Sequence, residues 1–151
     1  MTNLQHHPFD QLTPDFILDA LESIGLYGDG RLLALNSYEN RVYQVGLEEA
    51  EPLIIKFYRP ERWSLAALQE EHAFVAELCD AELPVVAPVR VAGQSLFEHG
   101  GFYFAVYPRQ GGHWPELNQS ADRQQVGRLL GRLHLIGRRH SFSARPRLSI
   151  K

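Results

Sequence analysis

The stretch LIIKFYRPERWSLAALQEEHAFVAEL, residues 53–78, constrains the fold of this chain more than any other. Its first six residues place Lys56 among apolar and aromatic neighbours, a pattern typical of a strand that is buried on both faces. An ammonium group in such a strand needs an anion or a path to solvent, because an unpaired buried charge is costly. The helical pattern that follows contains two adjacent acids, so the first question is which of them meets the lysine.

Helical spacing distinguishes the two glutamates. Glu71 comes three residues after Leu68 and three before Phe74, so it lies within the apolar stripe, whereas Glu70 falls on the other side and is expected to face water. We therefore predict that Glu71 is the partner of Lys56. Opposite charges about 4 Å apart attract by about 4 kcal/mol at an effective dielectric of about 20, which favours a positioning role over a stabilising one. The alternative from this stretch alone is a lysine that reaches solvent from an edge strand.

Periodicity along the rest of the chain predicts an α+β fold. Thr13 and Pro14 begin a short amphipathic helix, and Ser64 caps a second helix that runs to about Cys79. Strands are predicted at residues 32–35, 41–45, 53–58, 85–91, 95–97 and 102–107, and a last helix at 122–139. These strands form an antiparallel sheet of about five strands. The Gly- and Pro-rich linker 108–118 divides the chain into a first domain, 1–108, and a second, 109–151.

Composition excludes several classes of protein. A net charge of −3 argues against a chain whose main partner is nucleic acid or an anionic membrane surface. A single cysteine cannot form an internal disulfide, no Cys/His spacing of a zinc site occurs, and the first residues lack a basic and then apolar leader. No apolar run approaches the roughly 18 residues of a membrane span. We therefore expect a cytoplasmic protein without a metal site of its own.

The hairpin before Lys56 adds a second element of a phosphate site. A strand lysine oriented by a helix glutamate, behind a hairpin, is the arrangement with which protein kinases hold the α and β phosphates of ATP. The hairpin NSYENR contains no glycine, so its donors would be the Ser37 hydroxyl, the Asn40 amide and backbone N–H groups. An ordinary polar turn is the alternative interpretation of this hairpin.

Six blocks of sequence then resemble one family. They are LNSYENRVYQV, IIKFYRPERW, EEHAFVAEL, LPVVAPV, GFYFAVYPRQGG and VGRLLGRLH. In this order they are similar to bacterial serine/threonine protein kinases that act in stress response and share the fold of aminoglycoside and choline phosphotransferases. The resemblance runs from about Phe9 to the end of the chain. It implies a kinase-like N-terminal lobe, a hinge and the first helix of a C-terminal lobe, in a cytoplasmic enzyme that uses ATP and Mg²⁺ and phosphorylates a protein substrate.

The resemblance assigns roles to individual residues. Ser37 matches the hairpin serine that contacts ATP, Lys56 the phosphate-binding lysine and Glu71 its helix partner. Residues 106–109, with Val106 and Tyr107 first, match the hinge against which adenine stacks and hydrogen-bonds. The family normally carries a serine in this hairpin, so the missing glycines agree with it.

The catalytic motif of the family is not found in these 151 residues. Members run to more than twice this length, and neither their HGDxHxxN loop nor the following metal-binding aspartate has a counterpart here. The resemblance therefore implies no catalytic residue and no metal ligand in this chain. We expect the chain to be inactive alone, with its Mg²⁺ ligands in the rest of the enzyme.

Other functions stay open at this point. A phosphotransferase that acts on a small molecule is possible in the same fold, because substrate choice resides outside this chain. The last helix has an apolar stripe that expects a partner, such as a second copy of the chain: Val126, Leu129, Leu130, Leu133 and Ile136. A non-catalytic interaction module that docks a partner on helix 122–139 is therefore the alternative from another class.

Overall fold

Five strands and three helices make up the described part of the chain. The computed structural model describes residues 7–150. In chain order the elements are α1 (Pro14–Glu22), β1 (Gly28–Leu35), β2 (Arg41–Leu47), β3 (Leu53–Phe57), α2 (Leu65–Asp80), β4 (Phe97–His99), β5 (Phe102–Pro108) and α3 (Ser120–Gly137). The strands form one sheet in the order β1-β2-β3-β5-β4, with every neighbouring pair antiparallel. The predicted α+β fold with about five antiparallel strands is confirmed.

The strand predicted at residues 85–91 is wrong. This segment has no strand of its own, and only Val91 forms an isolated bridge, with Gln94. Pro84 and Pro88 lack the N–H groups that a ladder needs, which explains why the apolar run stays outside the sheet. The fourth strand along the chain is instead the short β4, which lies at the edge of the sheet and pairs with β5.

The chain folds into two compact units. One runs to Trp63 and includes Pro88–Arg109, and the other consists of Ser64–Ala87 and the residues from Gln110 onward. The first unit contains α1 and the whole sheet, and the second contains α2 and α3. The assignment of residues 1–108 to an ATP-binding lobe and 109–151 to the start of another lobe is a statement about function, and it stays a prediction.

Helix α1 closes one face of the sheet in the first unit. Thr13 caps the helix by accepting a hydrogen bond from the Phe16 N–H, and Pro14 occupies its first turn, as predicted. Its buried stripe joins one apolar core with the inward side chains of the strands: Phe9, Ile17, Ala20, Leu21, Val45, Leu53, Ile55, Phe57, Phe102, Phe104 and Val106. This packing leaves the other face of the sheet for Lys56.

The second unit has a smaller core. Ser64 caps α2 by accepting from the Ala67 N–H, and Leu78 of this helix packs with Leu83 and Ile136. The apolar stripe of α3 therefore finds part of its partner within the chain, while Leu130 and Leu135 of α3 are 51% and 65% exposed. Self-association through α3 stays a prediction. Within residues 7–150, every helix is too short or too polar to cross a bilayer.

Candidate functional site

The candidate site lies on the face of the sheet opposite α1. Side chains alternate along β3, so Ile55 and Phe57 enter the core while Ile54 and Lys56 take the other face. The strand register places Val42 of β2 and Ala105 of β5 on either side of Lys56. The same register places Tyr107 beside Ile54. A cation and an apolar surface are therefore neighbours on one face of the sheet.

Two tyrosine rings hold the ammonium group of Lys56. Its Nζ lies 4.4 Å from the ring centroid of Tyr58 and 5.2 Å from that of Tyr107. The two phenol oxygens are 3.5 Å apart, so the hydroxyl groups of the two tyrosines also contact each other. A cation over an aromatic face is stabilised by the ring quadrupole. The two rings therefore hold the Lys56 ammonium group at a defined position on this face of the sheet.

The hairpin between β1 and β2 is shaped by its own polar residues. The Ser37 hydroxyl donates to the Asn40 carbonyl at 2.6 Å, and the Asn40 side-chain oxygen accepts from the Arg59 N–H at 3.3 Å. Arg62 Nε donates to the Glu39 carboxylate at 2.5 Å, and its guanidinium lies over the Trp63 ring. The segment RPERW, which follows β3, therefore holds the hairpin through its contacts with Glu39 and Asn40.

These contacts change the predicted donors of the hairpin. The Ser37 proton closes the turn in this structure, and the contact of this hydroxyl with ATP stays a prediction. The amide nitrogen of Asn40 keeps its two protons for other acceptors, since the side-chain oxygen meets Arg59. Within residues 7–150, the N–H groups of Tyr38 and Glu39 also have no acceptor. The hairpin therefore retains donors for an anion, mostly from its backbone.

The predicted hinge residues lie on different faces. The Tyr107 ring is beside Lys56, whereas the Val106 side chain is fully buried in the core with Ile55. The Val106 carbonyl accepts a hydrogen bond from the Val89 N–H at 2.7 Å. The Tyr107 side chain therefore shares the face of Lys56 and the Val106 side chain does not, and the nucleotide contacts predicted for both residues stay predictions.

Glu71 lies on α2 in the second unit. Its carboxylate forms an ion pair with the guanidinium of Arg145, and both side chains are largely shielded from solvent. The sequence did not indicate Arg145, because it is one of thirteen arginines and follows α2 by more than sixty residues. The contact of Glu71 with Lys56 stays a prediction.

Glu70 does not simply face water, and that prediction is wrong. Its carboxylate accepts hydrogen bonds from the N–H groups of Ser143, Ala144 and Arg145 at 2.6, 3.0 and 3.1 Å, and from the Ser143 hydroxyl at 3.0 Å. These bonds, led by that of the Ser143 N–H, hold the pKa of Glu70 below its ordinary value although partial desolvation opposes them. A polar residue outside an apolar stripe can still have a specific partner far along the chain.

The residues after α3 make further contacts with α2. His140 Nε2 lies 2.5 Å from the Glu77 carboxylate, and the Phe142 ring packs edge-on against Phe74 with centroids 5.2 Å apart. Arg145 Nε donates to the Ala67 carbonyl at 3.1 Å. We call residues 140–145 the tail segment, and its polar and aromatic contacts span three turns of α2.

The described residues bring together groups that suit a nucleotide, but no cluster of three or more metal-ligating side chains. Lys56, the hairpin donors and the Tyr107 ring suit an anionic nucleotide with an aromatic base. Within residues 7–150, no group of three or more His, Cys, Asp or Glu side chains is arranged to hold a metal ion. Any Mg²⁺ that accompanies the nucleotide would need ligands other than a cluster in this part of the chain.

Comparisons with known sequences identify close relatives. Stress response kinase A of Shigella flexneri is 48% identical over 142 residues, and that of Escherichia coli strain K12 is 47% identical. The serine/threonine protein kinase RdoA of Salmonella typhimurium is 45% identical. Each match covers 94% of this chain and 43% of the relative, so the chain spans less than half the length of these curated proteins.

A solved structure shares the fold. The amicoumacin kinase hAmiN, in complex with AMP-PNP, Ca²⁺ and Ami, matches 85% of this chain and 41% of its own with a TM-score of 0.65 and 22% identity. The model of the phosphotransferase enzyme family known as APH matches residues 31–150, which include most of β1, the other four strands, all of α2 and all of α3. This chain belongs to the APH phosphotransferase enzyme family.

Proposed function

We propose that this chain is the ATP-binding portion of a cytoplasmic serine/threonine protein kinase that acts in stress response. The complete enzyme transfers the γ-phosphoryl group of ATP to a hydroxyl group of a protein. The names of the relatives support the kinase activity and the serine/threonine specificity, and the AMP-PNP of the structural neighbour supports ATP as ligand. The observation that carries the proposal is the Lys56 ammonium, held by two tyrosine rings on the face of the sheet that α1 leaves open.

The residues of this chain bind and orient the nucleotide. Lys56 attracts the α and β phosphates, and the Asn40 amide with the Tyr38 and Glu39 N–H groups donates to phosphate oxygens. Ser37 supports these donors by closing the turn. The Tyr107 ring and Ile54 offer the apolar surface for the adenine, and the Val106 backbone belongs to the hinge. Glu71 orients Lys56 in the complete enzyme.

Phosphoryl transfer needs groups that these residues do not supply. Mg²⁺, when bound with ATP, neutralises charge on the phosphates, and a catalytic base orients the attacking hydroxyl. Neither the metal-ligating aspartate nor the HGD motif of the family occurs in the sequence. We therefore propose that the 151-residue chain binds ATP and does not transfer its phosphoryl group.

Thermal melting with Mg-ATP tests the proposal. Ligand at about 100 times its dissociation constant stabilises a folded protein by about 2.7 kcal/mol, so the melting temperature of the wild-type chain should rise. The rise should disappear in Lys56→Ala and persist in Arg90→Ala, which removes an exposed cation of the same unit. The absence of a rise in the wild type, or an equal rise in Lys56→Ala, would refute the proposal.

The second candidate is a non-catalytic interaction module. Leu130 and Leu135 of α3 are 51% and 65% exposed, and an exposed pair of leucines on one helix suits a protein partner. This function predicts no response to nucleotide. It also predicts a change in sedimentation or pull-down of a partner when both leucines are replaced by Gln, with no change in the Mg-ATP titration.

A further inference from the structure

The tail segment is bound to α2 through the Glu70 carboxylate, which accepts hydrogen bonds from main-chain N–H groups of the segment. Glu70 accepts from three consecutive N–H groups, those of Ser143, Ala144 and Arg145, and from the Ser143 hydroxyl. Successive N–H groups that converge on one anion fix the conformation of the segment that carries them. The main chain at Arg145 is therefore held at a defined point beside α2.

Arg145 uses this fixed point to reach the neighbouring glutamate. Its Nε donates to the Ala67 carbonyl at 3.1 Å, and its Nη2 bonds to the Oε2 atom of Glu71. The guanidinium is planar, so the bond to Ala67 sets the direction in which its other nitrogens point. The two bonds together select one orientation of the Glu71 carboxylate.

We propose that the tail segment is a clasp that orients Glu71, with Arg145 and Glu70 as positioning residues. Arg145 holds one oxygen of the Glu71 carboxylate, and Glu70 holds Arg145 in place. This inference deepens the proposed function and rests on it in one respect, since Glu71 is the residue proposed to orient the ATP-binding Lys56. Ordering a side chain before the ligand arrives lowers the entropy lost on binding, so the clasp raises the affinity for ATP.

Arg145 could either position Glu71 for Lys56 or compete with Lys56 for it, and removal of Arg145 distinguishes these two roles. If Arg145 withheld Glu71 from Lys56, its removal would tighten nucleotide binding. If Arg145 positions Glu71, its removal weakens binding, because the carboxylate loses a charge-assisted hydrogen bond and samples other rotamers. The structure favours positioning, because Arg145 is itself anchored by its Nε bond to the Ala67 carbonyl while its Nη2 bonds to Oε2 of Glu71.

The test compares Arg145→Gln with Arg147→Gln in the 151-residue chain. Arg147 undergoes the same change two residues away and forms no ion pair within residues 7–150, so it is a matched control. The dissociation constant for Mg-ATP, measured by calorimetry, should rise about fivefold to tenfold in Arg145→Gln, as expected for the loss of a charge-assisted bond. It should stay at the wild-type value in Arg147→Gln and recover in part in Arg145→Lys.

A second readout reports Glu71 without nucleotide. In protein with ¹³C-labelled glutamate, the side-chain carboxyl signal of Glu71, assigned by Glu71→Gln, should move in Arg145→Gln and in Glu70→Gln but not in Arg147→Gln. An unchanged signal in the first two variants overturns the clasp. Unchanged or tighter ATP binding in Arg145→Gln also overturns it.

The two readouts separate the clasp from the proposed function. If the wild-type chain binds no ATP, the proposed function fails, and the carboxyl signal still decides whether Arg145 and Glu70 orient Glu71. If the wild type binds ATP and Arg145→Gln binds it equally well, the clasp fails and the proposed function stands.

Discussion

Helices α1 and α2 make their contacts by different means. α1 contributes Ile17, Ala20 and Leu21 to an apolar core, and the Thr13 side chain caps its start. α2 also buries apolar residues, but two of its acids, Glu70 and Glu71, bind groups of the tail segment. Apolar packing accepts many partners of the right size, whereas each of these acids needs a particular donor. Apolar packing therefore stabilises α1, whereas specific polar contacts fix the carboxylates of Glu70 and Glu71 on α2.

The largest expected effect tests whether apolar packing stabilises α1, and it comes from the replacement of a buried leucine of this helix. Leu21 is fully buried, so Leu21→Ala should lower the free energy of unfolding by about 2 to 5 kcal/mol through lost burial and a cavity. Leu135→Ala is the matched control, because this leucine is 65% exposed and its loss should cost less than about 1 kcal/mol. Urea unfolding measures both. Equal losses would show that α1 is not held by its buried stripe.

A glycine that faces α1 gives the next largest effect. Gly100 has a φ of +54°, and an added Cβ would come within 2.5 Å of the Phe16 ring of α1. Gly100→Ala should therefore cost about 2 to 3 kcal/mol, from backbone strain and from displacement of the ring. Gly30→Ala isolates the strain, since Gly30 has a φ of +88° and open space around it, and should cost about 1 kcal/mol. If thermal unfolding shows the same loss for both, Phe16 is not packed tightly there.

Protonation of Glu70 at low pH should release the tail segment from α2, and we expect this to cost the least stability of the three changes. The pKa of Glu70 in the folded chain is below its ordinary value of 4.5, so the contact contributes fully above that pH and is lost as the pH falls through the lowered pKa. The amide signals of Ser143 and Ala144 should move with a midpoint below pH 4.5 while the capped amide of Phe16 in α1 stays in place. Titration by NMR measures both, and a midpoint at or above pH 4.5 would contradict the Glu70 contacts.

The same contrast explains what the sequence could predict. Local patterns predicted the start of α1 at Thr13, the cap of α2 at Ser64 and the two faces of β3, because capping and burial depend on residues within one element. The Lys56 position on an otherwise apolar strand was the signal for the site. The prediction of a strand at 85–91 was wrong because two prolines in this region lack the N–H groups that a strand needs, although the run is apolar.

The polar contacts could not be predicted in the same way. The partners of Glu70 are backbone groups more than seventy residues away, and no side-chain pattern marks a backbone donor. The Tyr58 and Tyr107 rings around Lys56 depend on the register of β3 with β5, which sequence alone does not fix. The hydrogen bond from Ser37 to the Asn40 carbonyl was also not predicted, because a hydroxyl can close its own turn as readily as it can bind a ligand.

Lysine side-chain NMR tests the central claim most directly. The chain contains two lysines, Lys56 and Lys151, so protein labelled with ¹³C at lysine Cε gives two assignable signals. On addition of Mg-ATP, the Lys56 signal should shift in a saturable manner while the Lys151 signal stays in place. A Lys56 signal that does not respond, or two signals that drift equally with ionic strength, would contradict the proposal that this face of the sheet binds the phosphates of ATP.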